Sequence, residues 1–293
     1  MTDMLVRSRQ IVERIIITGK LKLLTPTSLS NGDADGLLDM PLARDAAEDV
    51  PLLTGSSIAG ALRNYLRLRE EGYRQQERHK GMAEQLFGGQ RGNDEGSQSL
   101  LIVDDTRAQQ VVAEIRDNVR IEPQTRTAQD KKKFDLELLP AGTEFVLRFE
   151  LLIARENDRV ALLQALALAL TGFEQQEISL GARKRRGFGR CVVEEWAVQR
   201  YALTDNKGLL AWLSVDLSDN GTGLKIQPVE TTQGRAAAAL GVLLPATDQR
   251  RQFTIQAHFA LASPLLIRSE EPIMVNTGTE YPDTTHLRSS RNG

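Results

Sequence analysis

The longest cationic run in the chain lies in Gly181-Ala182-Arg183-Lys184-Arg185-Arg186-Gly187-Phe188-Gly189-Arg190. Four consecutive cations repel one another unless an external anion gathers them. The flanking glycines permit positive φ and let backbone N–H groups come close to such an anion. The run is not a nucleoside-triphosphate loop, because five residues separate Gly181 from Gly187 and neither Lys-Ser nor Lys-Thr follows. It precedes a strand rather than opening a helix, so it is not a dinucleotide fingerprint either. Phosphate binding is the chemistry it fits; a solvated basic turn is the alternative.

Two other places carry reactive or anion-binding residue types. Thr54-Gly55-Ser56-Ser57 precedes apolar residues at helical spacing (Ile58, Ala61, Leu62, Tyr65, Leu66), with Arg63 and Arg67 on the same helix. Free N–H groups at such a start can hold a phosphate, although many helices begin this way and bind nothing. Asp33 and Asp35 sit in the glycine-flanked stretch Asn31–Gly36. A carboxylate beside a phosphodiester disfavours binding, so in an RNA-binding protein it points to catalysis, by deprotonating a 2′-hydroxyl or positioning a divalent cation. An Asx turn, with both side chains bonded only to backbone, is the alternative, and the residues alone favour it.

The elements that must position these residues are legible in the hydrophobic pattern. Ile15 to Leu23 ends in alternation and reads as a strand with one buried face, stopped by Pro26. A long polar loop, 28–49, follows, then a helix from about Ile58 to Glu70. Residues 71–99 read as an insertion with a mobile part, and Leu100–Val103 as a short buried strand. Residues 116–140, basic and polar with Lys131-Lys132-Lys133, read as a hairpin excursion. Gly142–Leu151 alternates as a strand, Arg159–Thr171 is an apolar helix with Gly172 as its stop, and Cys191–Val198 is a last strand. The order strand, helix, strand, strand, helix, strand is an α+β pattern with helices on one face of an antiparallel sheet. Near the end, residues 252–267 lay over 14–29, with Pro264 on Pro26 and Ile267 on Leu29. The simplest account is a second copy broken off early, after a connector over 201–251; an unrelated strand is the alternative.

Composition bounds the function. A chain of 293 residues allows about two domains. The net charge of −2 excludes a uniformly basic coat, so any nucleic-acid surface is local. The 28 Arg against 9 Lys suit phosphate partners, although coding-DNA composition explains the ratio as readily. One cysteine (Cys191) excludes a disulfide framework and a cysteine-based zinc site. His79, His258 and His286 have no metal-ligand spacing. No signal peptide is visible, and the longest apolar stretch, Ala161–Leu170, is about half the ~20 residues a membrane helix needs, so a cytoplasmic protein is expected.

Four elements in order, over about residues 13–200, resemble the RAMP superfamily, the backbone subunits of type III CRISPR–Cas effector complexes. They are the strand with Gly32-Asp33, the run Leu53 to Arg63, the excursion Thr125-Arg126-Thr127-Ala128 followed by Pro140 to Phe145, and the loop 181–190. The resemblance implies a ferredoxin-like (RRM-like) RAMP domain over 13–200 with a thumb hairpin at about 116–140. A connector at 201–251 and the start of a second, incomplete RAMP copy at 252–293 would follow, as in fused tandem forms. It implies guide (CRISPR) RNA, single-stranded target RNA and other RAMP-type subunits as partners, with no membrane. Ser56, Ser57, Arg63, Thr125, Arg126, Thr127, Arg183, Lys184, Arg185, Arg186, Gly187 and Phe188 would contact RNA. Asp33, with Asp35 as competitor, would cleave the target by 2′-oxygen attack, aided by a divalent metal ion (Mg or Mn). In the tail, Asp33 falls on Glu271, with Asp283 further on. A subunit with an inert loop that only binds guide RNA is the alternative.

Overall fold

The computed structural model describes residues 10–30, 40–89, 98–108, 111–214, 230–246, 248–251 and 253–265. It divides into one unit over Met1–Arg251 and another over Gln252–Gly293.

The first unit is built on strand β1, Ile11–Leu23. Ile15, Ile17, Leu21 and Leu23 point into the core, and the three-isoleucine run leaves Ile16 on the opposite face. β1 lies between two antiparallel partners, β7 (Glu144–Ala154) and β8 (Cys191–Ala202); Ile17 pairs with Phe149 on one side and Val198 on the other. β3 (Leu101–Val103) pairs with β7, and β9 (Glu230–Gly234) with β8, giving the order β3-β7-β1-β8-β9.

Helices α1 (Gly55–Glu71) and α3 (Arg159–Glu174) cover the core face. In α1, Ile58, Leu62, Tyr65 and Leu66 form one buried stripe at helical spacing. Its first turn begins three residues before Ile58, so Ser56 and Ser57 are helical. α3 is capped by Asp158, whose side chain accepts from the Ala161 amide at 3.1 Å. Gly172 does not stop it: the helix continues to Glu174. The missing side chain serves packing, since a Cβ there would lie 2.6 Å from Ile178 and 2.9 Å from the Tyr65 ring.

Two minor pairings complete the strands. β2 (Leu52–Leu53) pairs with β4 (Thr106–Arg107), and the expected excursion is a separate two-stranded hairpin of β5 (Glu114–Ile121) and β6 (Ala128–Leu138). The stretch 71–99 carries a short helix, α2 (Met82–Phe87), with Ala83 and Leu86 in the core.

The described residues of 201–251, expected as a connector, carry elements of the first unit. β8 continues to Ala202. Helix α4 (Asn206–Leu213) then packs on the other face of the sheet, where Ala211 and Trp212 meet Ile16 and Tyr201. Helices therefore lie on both faces, because an out-of-phase apolar pair needed cover. β9 extends the sheet, and α5 (Ala236–Leu240) buries Ala236, Ala239 and Leu240 in the main core. The chain is then tied to α1, where the Gln249 amide donates to the Arg69 carbonyl at 2.9 Å, and to the turn after α3, where Arg250 pairs with Glu177 at 3.1 Å.

In the second unit, the strand expected at 252–267 is not formed over 253–265. Alternating Phe253, Ile255, Phe259 and Leu261 are exposed, since a strand needs a hydrogen-bonded neighbour and none is paired with it among the described residues.

If α5 is integral to the first unit, Leu240→Ala lowers its unfolding free energy by about 2–4 kcal/mol. Urea denaturation of purified protein checks this; a change under ~0.5 kcal/mol would return 201–251 to the status of a connector.

Candidate functional site

The segment 179–190 is a closed loop strapped across the end of β1. Ser179 bridges to Arg190, and the Leu180 amide donates to the Gly189 carbonyl at 2.9 Å. Four bonds join it to residues 24–28. The Leu24 amide donates to the Arg190 carbonyl at 2.7 Å and the Ala182 amide to Ser28 at 2.9 Å. The Gly189 amide donates to Pro26 at 3.1 Å, and the Arg190 amide to the Thr25 hydroxyl at 3.0 Å. Two glycines are dictated by this contact. A Cβ on Gly181 (φ 76°) would lie 2.2 Å from the Ser28 carbonyl oxygen, and one on Gly189 (φ 78°) 1.8 Å from that of Leu180.

The four cations between these glycines do not share one environment. Arg183, itself left-handed at φ 56°, folds its guanidinium 4.7 Å over the Phe134 ring of β6 and within 3.6 Å of the Met40 sulfur. Desolvation, with Arg186 nearby, lowers its pKa. Lys184, Arg185 and Arg186 form a 3-10 turn, are exposed, and make no ion pair among the described residues. Gly187 is exposed and Phe188 half-buried.

The start of α1 faces this loop. The Thr54 hydroxyl accepts from the Ser57 amide at 3.3 Å, and the hydroxyls of Ser56 and Ser57 lie 3.1 and 2.9 Å from it. Asp105 accepts from the Gly55 amide at 2.7 Å. A groove of about 810 Å³ runs between the two elements, lined by Ser28, Ser56, Ser57, Gly181, Ala182 and Lys184. The two anion-binding candidates, distant in sequence, thus share one cleft. The groove is lined as well by apolar side chains, Leu29, Leu52 and Leu53 among them; its cation, hydroxyls and helix N-terminus suit a phosphodiester strand.

Arg63 stands elsewhere. Its guanidinium is bidentate to Glu77 at 2.9 and 2.6 Å and donates to the Gly88 carbonyl at 3.0 Å, which raises its pKa. The chain after α1 folds back and delivers Glu77, so Arg63 is committed within the protein and lines a separate cavity of about 560 Å³. Thr125, Arg126 and Thr127 form the exposed hairpin tip. Their turn is closed by the Glu122 amide donating to Thr127 at 2.9 Å, and the two threonine hydroxyls lie 2.8 Å apart.

Asp33 and Asp35 lie outside the described residues, but both flanks of their segment are fixed. Ser30 bridges to Leu42, and the Ala43 amide donates to the Leu29 carbonyl at 2.6 Å. Sequence reasoning missed Glu137, which from β6 holds Leu42 and Arg44 on the C-terminal flank; the available signal was a carboxylate between two core leucines, Leu136 and Leu138. No group of three or more His, Cys, Asp or Glu fit to hold a metal occurs among the described residues. No helix among them is long and apolar enough to cross a membrane.

A family model for the RAMP superfamily matches residues 20–192, a span that takes in the loop of Asp33, the start of α1, the hairpin and the segment 181–190. No curated protein matches the chain.

The strap makes a specific prediction. Gly181→Ala adds a left-handed Cβ against the Ser28 carbonyl and costs about 1–3 kcal/mol of stability. It should weaken RNA binding as well. Thermal melts and filter binding test the two effects; an unchanged melt would show that the contact is not needed.

Proposed function

Since the chain belongs to the RAMP superfamily, a family of CRISPR-associated RNA-binding subunits, we propose that it is a backbone subunit of a type III effector. In this reading it binds guide RNA in the groove and cleaves paired target RNA at the loop aspartate. The observation that carries the reading is the shared groove: the helix N-terminus with Ser56 and Ser57 and the loop with Lys184 line one cleft. Lys184, Arg185 and Arg186, exposed and unpaired among the described residues, supply its electrostatic attraction for guide phosphates.

The sheet order supports a ferredoxin-like domain. β1, β3, β7 and β8, with α1 and α3 at the two crossovers, follow a strand–helix–strand–strand–helix–strand course. The β5–β6 hairpin is the proposed thumb, tipped by Thr125, Arg126 and Thr127. Residues 252–293 are the proposed start of a second copy. The partners in this reading are guide RNA, single-stranded target RNA and further RAMP-type subunits, in the cytoplasm.

Asp33 takes the proton from the 2′-hydroxyl of a displaced target nucleotide. The 2′-oxygen attacks the adjacent phosphorus, the 5′-oxygen leaves, and a cyclic phosphate remains. Asp35 is the competing carboxylate. A divalent ion, Mg or Mn, would stabilise the charge developing on the phosphoryl oxygens. An inert, purely structural subunit is the second reading.

Cleavage of matched target by the assembled complex separates them. Asp33→Ala should lower the cut opposite this subunit by about 10²–10⁴-fold, whereas an unchanged cut in Asp33→Ala, Asp35→Ala and the double variant would leave the structural reading. Replacing Lys184, Arg185 and Arg186 together with Ala should reduce the slope of log affinity against log salt by about 2. Arg183→Ala, whose cation packs on Phe134, should barely change that slope.

A further inference from the structure

The proposed cleavage requires the segment between residues 30 and 42 to be placed against RNA, and its flank from Met40 onward shows one means of doing so. β6 enters the body of the protein through Leu136, Glu137 and Leu138, all buried. Met40 bridges to Leu136, and the Glu137 amide donates to the Met40 carbonyl at 3.2 Å. The Glu137 side chain then turns onto the same flank. Its Oε2 accepts from the Leu42 amide at 2.8 Å and its Oε1 from the Arg44 guanidinium at 2.5 Å. Arg44 donates in turn to the Asp49 carbonyl at 3.0 Å.

One carboxylate of a hairpin strand thus holds both main chain and side chain of the segment's C-terminal flank. An apolar residue between Leu136 and Leu138 would pack there without the desolvation that a buried charge incurs. What it could not do is accept from Leu42 and Arg44 together. Three residues nearer the tip than Glu137, Phe134 lies under Arg183, so the same strand also meets the basic loop.

We propose that Glu137 is a positioning residue: it ties the hairpin to residues 40–44, so that engagement of the hairpin with RNA sets the placement of the segment carrying Asp33 and Asp35. This rests on the cleavage reading above. The tie acts on the described flank, and the chemistry stays with the aspartates.

The test uses the assembled, guide-loaded complex with saturating matched target. Glu137→Ala should lower the single-turnover cleavage rate about 10- to 100-fold, while guide affinity and the half-saturating target concentration stay within about twofold. Glu137→Gln keeps an acceptor for the Leu42 amide and should recover most of the rate. The double variant Glu137→Met with Arg44→Met replaces the pair by apolar chains of similar length, which preserves folding where Glu137→Ala does not. It should show the same loss of rate. Hydrogen exchange gives a second readout: target RNA should protect amides 40–44 in the wild type and fail to do so in Glu137→Ala or the double variant.

A wild-type rate in these variants, with Asp33→Ala inactive, overturns the proposal. So does a loss of rate matched by an equal loss of guide affinity, which marks a merely structural role. If neither aspartate variant affects cleavage, the cleavage reading itself has failed. Exchange then decides the tie: unchanged target-dependent protection in the variants overturns it, and lost protection upholds it.

Discussion

The backbone contact between residues 24–28 and the loop 179–190 is the constraint on which the rest of the candidate site depends. It occurs where β1 ends at Leu23 and β8 begins at Cys191, neighbours in the sheet. Their register brings the two ends together, and the glycines at 181 and 189 allow the approach to close. One consequence is a fixed entrance to the segment holding Asp33 and Asp35. Another is a fixed side wall for the groove, opposite the start of α1. A third is that Arg183 turns toward Phe134, leaving Lys184, Arg185 and Arg186 to solvent. Backbone geometry, more than side-chain charge, divides one cationic run into a structural member and three free ones.

Charge elsewhere is largely matched. On the sheet face away from the main core, Arg14 pairs with Glu150, Lys20 with Glu144, and Arg148 with Asp104. The aromatic rings of Tyr201 and Trp212 on that face pack against each other, 5.5 Å apart, with Arg14 over Trp212. Among the described residues, much of the charge on this face is thus paired. The near-neutral total is therefore compatible with a local cationic turn: neutralisation is carried out pair by pair on the sheet, and the loop is left out of it.

What was legible in the sequence follows from the range of the forces involved. The alternation of Lys20, Leu21, Lys22 and Leu23, the stripe of α1 and the glycines of 181–189 express local geometry, and each lies where the pattern puts it. The ion pair of Arg63 could not be read, because its partner Glu77 arrives only when the chain folds back after α1. Gly172 looked like a stop until Ile178 and Tyr65 filled the space above it. Residues 201–251 looked like a connector because β9 and α5 are short and weakly patterned; their place comes from Leu240 and from the unpaired side of β8. Glu137 was visible as an oddity between leucines, yet its meaning lies in Leu42 and Arg44.

The placement of β1 at the centre of the sheet has a consequence for synthesis on the ribosome. Ile15-Ile16-Ile17 is made well before its partners, which are Phe149 and Val198 and their neighbours. At roughly 5–20 residues per second, the strand waits of the order of ten seconds before both flanks exist. During that time its apolar side chains and free edges are exposed to any other nascent chain. The central strand therefore depends on chaperone shelter, and its folding is governed by the arrival of β8 more than by its own propensity.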